Sequence, residues 1–582
     1  MKYNKGAEDK LLCAFLFIPV IWLALLTAQS LDGGGLPRLL ENLASALSSP
    51  LAIRWTDKSA LTLLVFSAAY WLSVSVYLDA QKHRRDGEEH GSASWGSPGQ
   101  VNRIFAQKEN ILLTQHVRLG LDTHRHKRNL NVLVIGGSGA AKTRGYALPN
   151  LLEANTNYVV TDPKSELLTA TGAFFKAQGY DVRVLDLVNF EQSDCYNPFV
   201  YLRDDKDVLK LVTNLISATT PKNSHESDPF WVKAETALLQ ALILLLFHEA
   251  PEHEQNFPMV TRLLEHAEVK EDNENHISPL DMLFNSLERE QPEHIAVRQY
   301  KVFKMAAGKT AKSILISTAV RLAPFNIPQI ARITQKDEMD LYGLGEKKRI
   351  LFAVIPDNDA SFNFLVSILY AQAFQALYYS ADRIHHGELP RHVRFILDEF
   401  ACMPLPGFTR ELATMRSRNI SASTIIQNMA QIKELYKDSW ETIPGNSDTV
   451  LYLGGNEAST HKYISESLGK SSITLKTHNE TKGRSGSWSA NEQKHGRELL
   501  TPDEVRLLDN RYAILFIRGA QPVMDLKYDL MRHRNIRKSS LGGAVRYLHR
   551  RSGELDYGQP LFEEQTQFEQ DKENNKNEAF HE

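Results

Sequence analysis

A glycine-rich turn followed by lysine and threonine is the stretch of this sequence best suited to chemistry. After the apolar run Val132–Ile135 the chain reads GGSGAAKT, the strand, G-x-x-x-x-G-K-[ST], helix order of a phosphate-binding loop. In such a loop, backbone N–H groups surround phosphate oxygens at the positive end of a helix dipole. The lysine reaches the β- and γ-phosphates and the hydroxyl binds Mg²⁺. We therefore predict that ATP and Mg²⁺ bind here. The predicted nucleotide-binding residues are Gly136, Gly137, Ser138, Gly139, Ala140, Ala141, Lys142 and Thr143, and Thr143 is also a predicted metal ligand.

One position departs from the loop pattern. Ala141 stands where the second glycine is expected. A methyl group is tolerated there if the backbone angle φ is negative, and it costs more if φ is positive. On these residues alone, a turn that joins a strand to a helix and binds no ligand remains an alternative.

Two adjacent acids end a second apolar strand. The segment Val393–Glu399 reads VRFILDE, and a phosphate-loop ATPase needs such a pair opposite its loop. Asp398 is predicted to hold Mg²⁺, largely through water, because this hard cation prefers oxygen ligands. Glu399 is predicted to orient and deprotonate the attacking water. The alternative is a strand that simply ends in two surface acids.

Two further polar residues could complete such a site. Gln427 follows the strand Ala422–Ile426 and could sense the γ-phosphate at the strand tip. Arg416 precedes that strand, with Arg418 beside it, and a guanidinium carried to a neighbouring subunit's nucleotide would stabilise the transition state. An ordinary glutamine at the core edge and a solvated basic pair are the alternatives.

The elements that must position these residues read as an α/β domain interrupted by helices. Strands alternate with helical stretches, which favours a parallel sheet. Helical apolar spacing then dominates from about Tyr196 to Gly345. The sequence Ala307–Thr310 (AGKT) imitates the end of a phosphate loop, but no strand leads into it and we expect no ligand there. The predicted strands are Val132–Ile135, Asn157–Val160, Asp181–Leu187, Arg349–Ile355, Val393–Glu399, Ala422–Ile426, Thr449–Leu453 and Tyr512–Ile517. The predicted helices of the insertion are Val208–Ser217, Trp231–Phe247, Pro258–His266, Ser278–Leu287 and Ala311–Leu322.

The N-terminus predicts a membrane anchor. Leu11–Ala28 and Ala60–Leu78 are uncharged, and each comes near the roughly 20 residues that a helix needs to cross a bilayer. A cleaved signal peptide is the alternative for the first run, although that run is long for one. Lysines before the first run and Lys and Arg after the second place both ends in the cytoplasm. We predict a multi-pass protein of the cytoplasmic membrane with its main body in the cytoplasm. The apolar helix Trp231–Phe247 is short of uninterrupted length and is predicted to be a core helix.

The composition of the chain excludes few classes of function. The 582 residues hold 67 basic and 70 acidic side chains, a net charge of −3, so bulk charge does not indicate nucleic-acid binding. The three cysteines show neither metal-ligand spacing nor a disulfide framework, which fits a reducing compartment. The polar segment Lys470–His495 is predicted to be a loop. A basic stretch, Arg532–Arg551, precedes an acidic end, Gly553–Glu582, that we predict to be disordered.

Together these features resemble the coupling-protein family of type IV secretion and bacterial conjugation (TraG/TraD-like) over nearly the whole chain. Further segments similar to family motifs are HGSASWG from His90, VVTDPKSE from Val159, YNPF from Tyr196, DPFW from Asp228, ILDEF from Ile396, LGGN from Leu453 and RELLTPDEVRLL from Arg497. The resemblance implies a RecA-like ATPase, active as a ring of six subunits, that delivers a relaxase–single-stranded DNA complex to the secretion channel proteins. Matched by motif, Glu399, Gln427 and Arg416 are its catalytic residues, and Asp398 joins Thr143 at the metal.

The resemblance also divides the chain. The expected parts are a transmembrane hairpin (1–80), the first part of the nucleotide-binding domain (81–195), an all-helical insertion for substrate recognition (196–345), the second part of the nucleotide-binding domain (346–551) and an acidic tail (552–582). Two other functions stay open. One is a weakly hydrolysing or non-hydrolysing membrane receptor that docks the relaxase–DNA complex. The other is a chromosome-partitioning pump, against which the insertion and the motifs count.

Overall fold

The computed structural model describes residues 5–31, 42–44, 46–47, 52–82, 90–220, 229–269, 276–306, 308–356, 358–403, 405–481 and 487–549. The chain divides into two compact units. Unit 1 comprises Met1–Ala93 and Gly469–Glu498, and unit 2 comprises Ser94–Leu468 and Leu499–Glu582. The predicted acidic tail, 552–582, lies outside the described residues.

The strands and helices are numbered in chain order. The strands are β1 (Asn110–Leu112), β2 (Arg118–Gly120), β3 (Val132–Ile135), β4 (Asn157–Asp162), β5 (Asp181–Asp186), β6 (Arg349–Val354), β7 (Val393–Leu397), β8 (Ile420–Ile426), β9 (Thr449–Tyr452), β10 (Lys470–Thr481), β11 (Ser487–Glu498), β12 (Tyr512–Ile517) and β13 (Val523–Leu526). The helices are α1 (Lys5–Ser30), α2 (Ser59–Lys82), α3 (Pro98–Phe105), α4 (Thr123–His126), α5 (Leu148–Glu153), α6 (Glu166–Ala177), α7 (Asp205–Thr219), α8 (Pro229–Glu249), α9 (Phe257–Glu265), α10 (Pro279–Glu290), α11 (Ile295–Lys304), α12 (Gly308–Leu322), α13 (Pro328–Gln335), α14 (Asn363–Tyr379), α15 (Phe408–Thr414), α16 (Met429–Tyr436), α17 (Thr442–Gly445), α18 (Ala458–Leu468) and α19 (Pro502–Arg506).

Unit 1 contains the two N-terminal apolar helices. The Phe17 ring of α1 lies 5.3 Å from the Tyr70 ring of α2, and the Tyr70 hydroxyl donates to the Cys13 carbonyl. Large apolar side chains such as Phe15 and Leu72 remain exposed on the other faces. This arrangement suits a helix hairpin whose outer surface faces lipid.

Unit 1 also contains the antiparallel pair β10–β11, in register from Lys470↔Glu498 to Thr481↔Ser487. Ser92 pairs with Ser471 beside it. The prediction of a loop over 470–495 is therefore wrong. Polar side chains gave no apolar alternation to indicate strands, but the backbone ladder of a hairpin does not require it. The predicted division of the chain includes this segment in the second part of the nucleotide-binding domain, 346–551, whereas the compact units group it with the N-terminal residues.

Unit 2 is built on a nine-stranded sheet in the order β13-β12-β9-β3-β8-β7-β4-β6-β5. The pairs from β9 to β5 are parallel, and β12 runs antiparallel to both of its neighbours. The predicted fold class, a RecA-like sheet of mostly parallel strands with a helical insertion, is confirmed. Along β3 the side chains alternate between two cores, with Leu133 and Ile135 on one face and Val132 and Val134 on the other. Helices cover both faces, as a buried parallel sheet requires.

The segment between β5 and β6 is helical, and the structure describes no strand there. The five predicted helices are observed as α7, α8, α9, α10 and α12, and α11 and α13 were not predicted. Gly308–Thr310 opens α12 after a helix rather than a strand, so this sequence is not a phosphate loop. The insertion shares one apolar core with a face of the sheet.

Three described helices are long and apolar enough to cross a membrane, over Leu12–Ser30, Ser59–Tyr77 and Phe230–Glu249. The first two windows are 22% and 17% buried, whereas the third is 56% buried. In the third helix, α8, every residue from Ala237 to Leu246 except Gln240 is buried. The prediction that this segment is a core helix agrees with that burial.

Candidate nucleotide site

Three neighbouring strands bring the predicted site residues to one edge of the sheet. In the parallel ladders Ile135 of β3 pairs with Ile426 of β8, and Thr424 of β8 pairs with Leu397 of β7. The residues that follow these strands are the glycine-rich loop, Gln427 and Asp398. Since all three strands run in the same direction, their carboxyl ends form one crevice, the usual ligand position in such sheets.

The glycine-rich loop offers unpaired donors. The Gly136 N–H donates to the Ile426 carbonyl at 3.0 Å, and the Gly137 N–H donates to the Gly454 carbonyl at 2.8 Å. The N–H groups of Ser138, Gly139 and Ala141 find no acceptor within the described ranges. Free backbone donors before a helix are the chemistry that phosphate requires, so the loop fits a nucleotide.

The backbone angle at Ala141 shows how the loop accommodates an alanine in place of the expected glycine. Its φ is +68° and that of Gly139 is +75°. A left-handed conformation costs a residue with a Cβ about 1–2 kcal/mol relative to glycine. Ala141 itself is exposed, so its methyl group meets open space rather than a neighbouring core. The alanine in place of glycine therefore strains the backbone but causes no steric clash.

Lys142 points into the crevice between the loop and the acids. Its side chain is 8% exposed, and its Nζ lies 3.6 Å from Oε1 of Glu399 and 3.4 Å from the Gly137 carbonyl. A buried ammonium needs a counter-charge, and here Glu399 supplies it. The helix that follows begins with a π turn, Thr143–Ala147, and continues as α5.

Thr143 and Asp398 join the loop to the second strand. The Thr143 hydroxyl donates to Oδ2 of Asp398 at 3.0 Å. Asp398 is 3% exposed, and burial, assisted by the neighbouring Glu399, raises its pKa to about 6. A hydroxyl and a carboxylate oxygen at this separation are suitable oxygen ligands for Mg²⁺, which keeps several waters of its own. These two residues therefore fit the predicted metal site.

Glu399 is held between two groups. Besides Lys142, the Gln427 side-chain amide donates to Oε2 of Glu399 at 3.0 Å. Glu399 adopts a left-handed conformation, with φ +48°, and its side chain is 25% exposed. Sparsely populated backbone conformations of non-glycine residues concentrate at functional sites. Glu399 is thus aimed at the loop and is reachable by water.

Arg416 is not part of this constellation. It lies before β8, at the amino edge of the sheet, whereas Gln427 lies after the same seven-residue strand. At about 3.3 Å per residue the two ends are roughly 20 Å apart. Arg416 is exposed, while Arg418 is paired with Asp382 at 2.8 Å and stacks over the Tyr378 ring. Of the two predicted basic residues, only Arg416 has no side-chain partner among the described residues.

Two features of the site were not predicted from the sequence. The Gly454–Gly455 turn after β9 packs against the loop, and a Cβ placed on Gly137 would lie 3.3 Å from the Gly455 Cα. Lys527, after β13, donates to the Ala140 carbonyl at 3.0 Å. The LGGN sequence could have indicated the first feature, because paired glycines allow close approach of two backbones. No sequence signal indicates Lys527.

Asp162 has a structural role. It ends β4, is 1% exposed and accepts from the Leu168 N–H at 2.8 Å, which caps the start of α6. Burial raises its pKa to about 6. Within the described residues there is no cluster of three or more His, Cys, Asp or Glu side chains that could hold a metal ion.

Comparison with known proteins identifies the family. The family described as "Type IV secretory system Conjugative DNA transfer" matches residues 97–530, about three quarters of the chain. The chain belongs to this family of type IV coupling proteins. Protein VirD4 of Agrobacterium fabrum is 23% identical over 467 residues, and the match covers 75% of this chain and 65% of that protein. The conjugal transfer protein TraG of Rhizobium radiobacter is 23% identical over 405 residues, with 67% of this chain and 60% of that protein covered.

This coupling protein therefore spans somewhat less than two thirds of the length of these relatives. Among solved structures, the plasmid coupling protein TrwB in complex with the ATP analogue ADPNP superposes with a TM-score of 0.55 at 16% identity, covering 75% of this chain and 93% of TrwB. The TrwB complex with ADP and Mg²⁺ gives a TM-score of 0.54 at 16% identity, covering 75% and 92%. The coupling protein thus has the TrwB fold and belongs to a family that acts in conjugative DNA transfer.

Proposed function

We propose that this coupling protein is a membrane-anchored ATPase that recruits a relaxase–single-stranded DNA complex and drives its delivery into a type IV secretion channel. One observation carries the proposal. The loop, the acidic pair and Gln427 converge at the ends of three adjacent strands, with Thr143 on Asp398 at 3.0 Å and Gln427 on Glu399 at 3.0 Å. That TrwB has been solved with ADPNP and with ADP and Mg²⁺ supports ATP and Mg²⁺ as the ligands.

The residues divide the work as follows. The N–H groups of the loop and the Lys142 ammonium hold the phosphates, and Thr143 and Asp398 hold the metal through oxygen. Bound Mg²⁺–ATP supplies the phosphoanhydride bond and the charge that polarises it. Glu399 accepts a proton from the attacking water. Gln427 holds the Glu399 carboxylate in place and can respond to the presence or loss of the γ-phosphate.

A ring of subunits accounts for Arg416. This arginine lies roughly 20 Å from the site of its own chain by strand length, so it can act only on a nucleotide held by a neighbour. Its guanidinium is exposed and stands beside an ion-paired Arg418. We infer a homo-hexamer in which Arg416 of each subunit stabilises transition-state charge in the next.

The remaining parts take supporting roles. Helices α1 and α2 anchor the chain as a hairpin in the cytoplasmic membrane, with the main body in the cytoplasm. The helical insertion, 196–345, recognises the relaxase–DNA substrate. Its apolar core continues into one face of the sheet that carries the site. Binding of substrate to the insertion and binding of nucleotide to the site can therefore each change the packing of this shared core, and so affect each other.

The test is ATP hydrolysis by the full-length chain in lipid nanodiscs, with and without single-stranded DNA. We expect hydrolysis that DNA stimulates. Lys142→Ala should abolish nucleotide binding. Glu399→Gln should retain binding and lower kcat by about 10²- to 10⁴-fold, the usual contribution of a general base. Glu109→Gln, at an exposed acid before β1 and outside both the site and the insertion, is a matched control for the same carboxylate-to-amide exchange. Unchanged hydrolysis in both site variants would refute the assignment.

A second candidate is a receptor that docks the relaxase–DNA complex with little or no turnover. The positive φ of Ala141 favours it, because strain in the loop weakens nucleotide binding. This candidate predicts partner binding without hydrolysis, and an Ala141→Gly chain that remains inactive would support it over the motor.

A further inference from the structure

Lys527 contacts the glycine-rich loop from the end of β13, which lies on the other side of β3 from the acid-bearing β7 in the sheet order. It follows β13, whose antiparallel pairing with β12 sets Leu526 opposite Tyr512, and its own N–H donates to the Arg511 carbonyl at 2.9 Å. Its Nζ donates to the Ala140 carbonyl at 3.0 Å and to Oδ1 of Asn510 at 2.6 Å. The lysine is therefore fixed by the sheet edge at its backbone and by Asn510 at its tip.

The accepting carbonyl belongs to the peptide that leads into Ala141. In a trans peptide the C=O and the N–H point in opposite directions. Because the Ala140 carbonyl is directed at Lys527, the N–H of Ala141 is directed away from it. That N–H has no acceptor in the described part of the chain, and it is one of the donors that the loop offers to phosphate.

The same peptide carries the strain of the loop. With φ of Ala141 at +68°, rotating this peptide by about half a turn would bring φ to a negative, unstrained value. That rotation would also withdraw the Ala141 N–H and break the contact with Lys527. An alanine here therefore favours the rotated peptide, and a glycine would not.

We propose that Lys527 is a positioning residue of the nucleotide site, which holds the Ala140–Ala141 peptide in its strained orientation so that the Ala141 N–H faces the phosphates. This inference rests on the proposed function, because it assumes that the loop binds a nucleotide. The half-buried ammonium also adds a positive charge close to the loop. Lys527 thus compensates for the missing glycine at Ala141.

The test is a double-mutant cycle on the full-length chain in nanodiscs, read as the Kd of a fluorescent ADP analogue with Mg²⁺. Lys527→Met keeps the aliphatic stem and removes the donor, and we expect about tenfold weaker binding, equivalent to about 1.4 kcal/mol. In the Ala141→Gly chain the same change should cost less than about threefold. Lys527→Arg should restore most of the affinity, because a guanidinium can donate to the same carbonyl.

Two controls accompany the cycle. Lys538→Met removes an exposed lysine of the same C-terminal segment and should leave the Kd unchanged. Thermal unfolding without nucleotide identifies any variant that fails to fold, and Lys527→Arg then serves as the second probe. The readout is binding rather than hydrolysis, so a defect in turnover does not enter it.

The outcomes separate the two proposals. If the parent chain and the Ala141→Gly chain both bind no nucleotide, the proposed function falls and this inference with it. If the parent binds and Lys527→Met binds equally well, or if the loss is the same in both backgrounds, the positioning role of Lys527 is refuted alone. A loss confined to the alanine background supports it.

Discussion

The hydroxyl of Thr143 donates to the Asp398 carboxylate at 3.0 Å, joining two residues that lie 255 positions apart in the chain. The contact exists because β3 and β7 flank β8 in the sheet and all three end at the same edge. It fixes Asp398 where burial raises the pKa of the carboxyl to about 6. One hydrogen bond thus links the glycine-rich loop to the acid that is predicted to bind the metal.

Thr143→Val should weaken the binding of the Mg²⁺ that accompanies the nucleotide. The substitution keeps the shape of the side chain and removes its oxygen, and losing one hydrogen-bond partner of a buried charged group costs about 1–3 kcal/mol. We expect the Mg²⁺ concentration for half-maximal nucleotide binding to rise by about tenfold or more. A Mg²⁺ titration of the Kd measures this. Thr143→Ser keeps the hydroxyl and should behave like the parent, so equal defects in both variants would argue against a metal role.

Ala141→Gly should stabilise the loop. Relief of the left-handed strain is worth about 1 kcal/mol, less the entropy that a glycine adds to the unfolded chain. Nucleotide binding should tighten by severalfold, because the loop no longer has to be held in an unfavourable conformation. Isothermal titration with ADP and Mg²⁺ measures the change. Ala140→Gly, at a neighbouring position outside the positive-φ residues, is the matched control and should not tighten binding.

Arg416→Ala should impair hydrolysis, and Arg418→Ala should impair thermal stability. Arg416 is exposed without a described partner, so its loss should leave thermal stability unchanged and lower hydrolysis by about a hundredfold or more. Arg418 pairs with Asp382 and stacks on Tyr378, so its loss should lower thermal stability and affect hydrolysis less.

A mixing experiment locates the arginine in the ring. Chains carrying Arg416→Ala and chains carrying Lys142→Ala should each be inactive alone. Co-expressed as mixed assemblies they should recover part of the activity, since some interfaces then join an intact loop to an intact arginine. Absence of recovery in assemblies that contain both chains would mean that Arg416 does not act across subunits.

His392 should make the fold sensitive to acid. Its Nδ1 lies 2.8 Å from Oδ1 of Asn419 and its Nε2 lies 2.8 Å from the Ser421 hydroxyl. Burial, with a smaller effect of the nearby Arg394, lowers its pKa to about 4 from 6.5. The unfolded chain therefore binds a proton first as the pH falls. The stability that neutral His392 contributes is present above pH 6.5 and is lost between pH 6.5 and 4, by at most about 3 kcal/mol.

Thermal unfolding of the parent and of His392→Gln at pH 7 and pH 5 measures this dependence. The parent should lose more stability than the variant between these values. The comparison is between two chains because Asp162 and Asp398, whose pKa values are raised to about 6, change stability in the opposite direction over this range. If the thermal stability of the two chains fell by the same amount between pH 7 and pH 5, His392 would not be the cause of the acid sensitivity.

Most of the main sheet could be predicted, because buried parallel strands appear in sequence as short apolar runs between turns. Eight of its strands were predicted in this way. β13 was not, since it is only four residues long and its Asp525 interrupts the apolar run that marks a buried strand. The burial of Asp525 is explained only by the fold, where it accepts hydrogen bonds from Thr114 and His116. The β10–β11 hairpin was not predicted either, because its polar side chains give no apolar pattern.

The sequence by itself determined the chemistry of the site. The types and spacing of the loop residues, the acidic pair and Gln427 predict phosphate, metal and water as their partners, because each proposed role depends on side-chain chemistry and on local backbone freedom. Tertiary structure decided how these residues meet. It decided that Ala141 has a φ of +68°, that Arg416 lies at the opposite edge of the sheet from Gln427 and that Lys527 donates to the Ala140 carbonyl. These relationships depend on strand order and on contacts between distant parts of the chain, which no local pattern encodes.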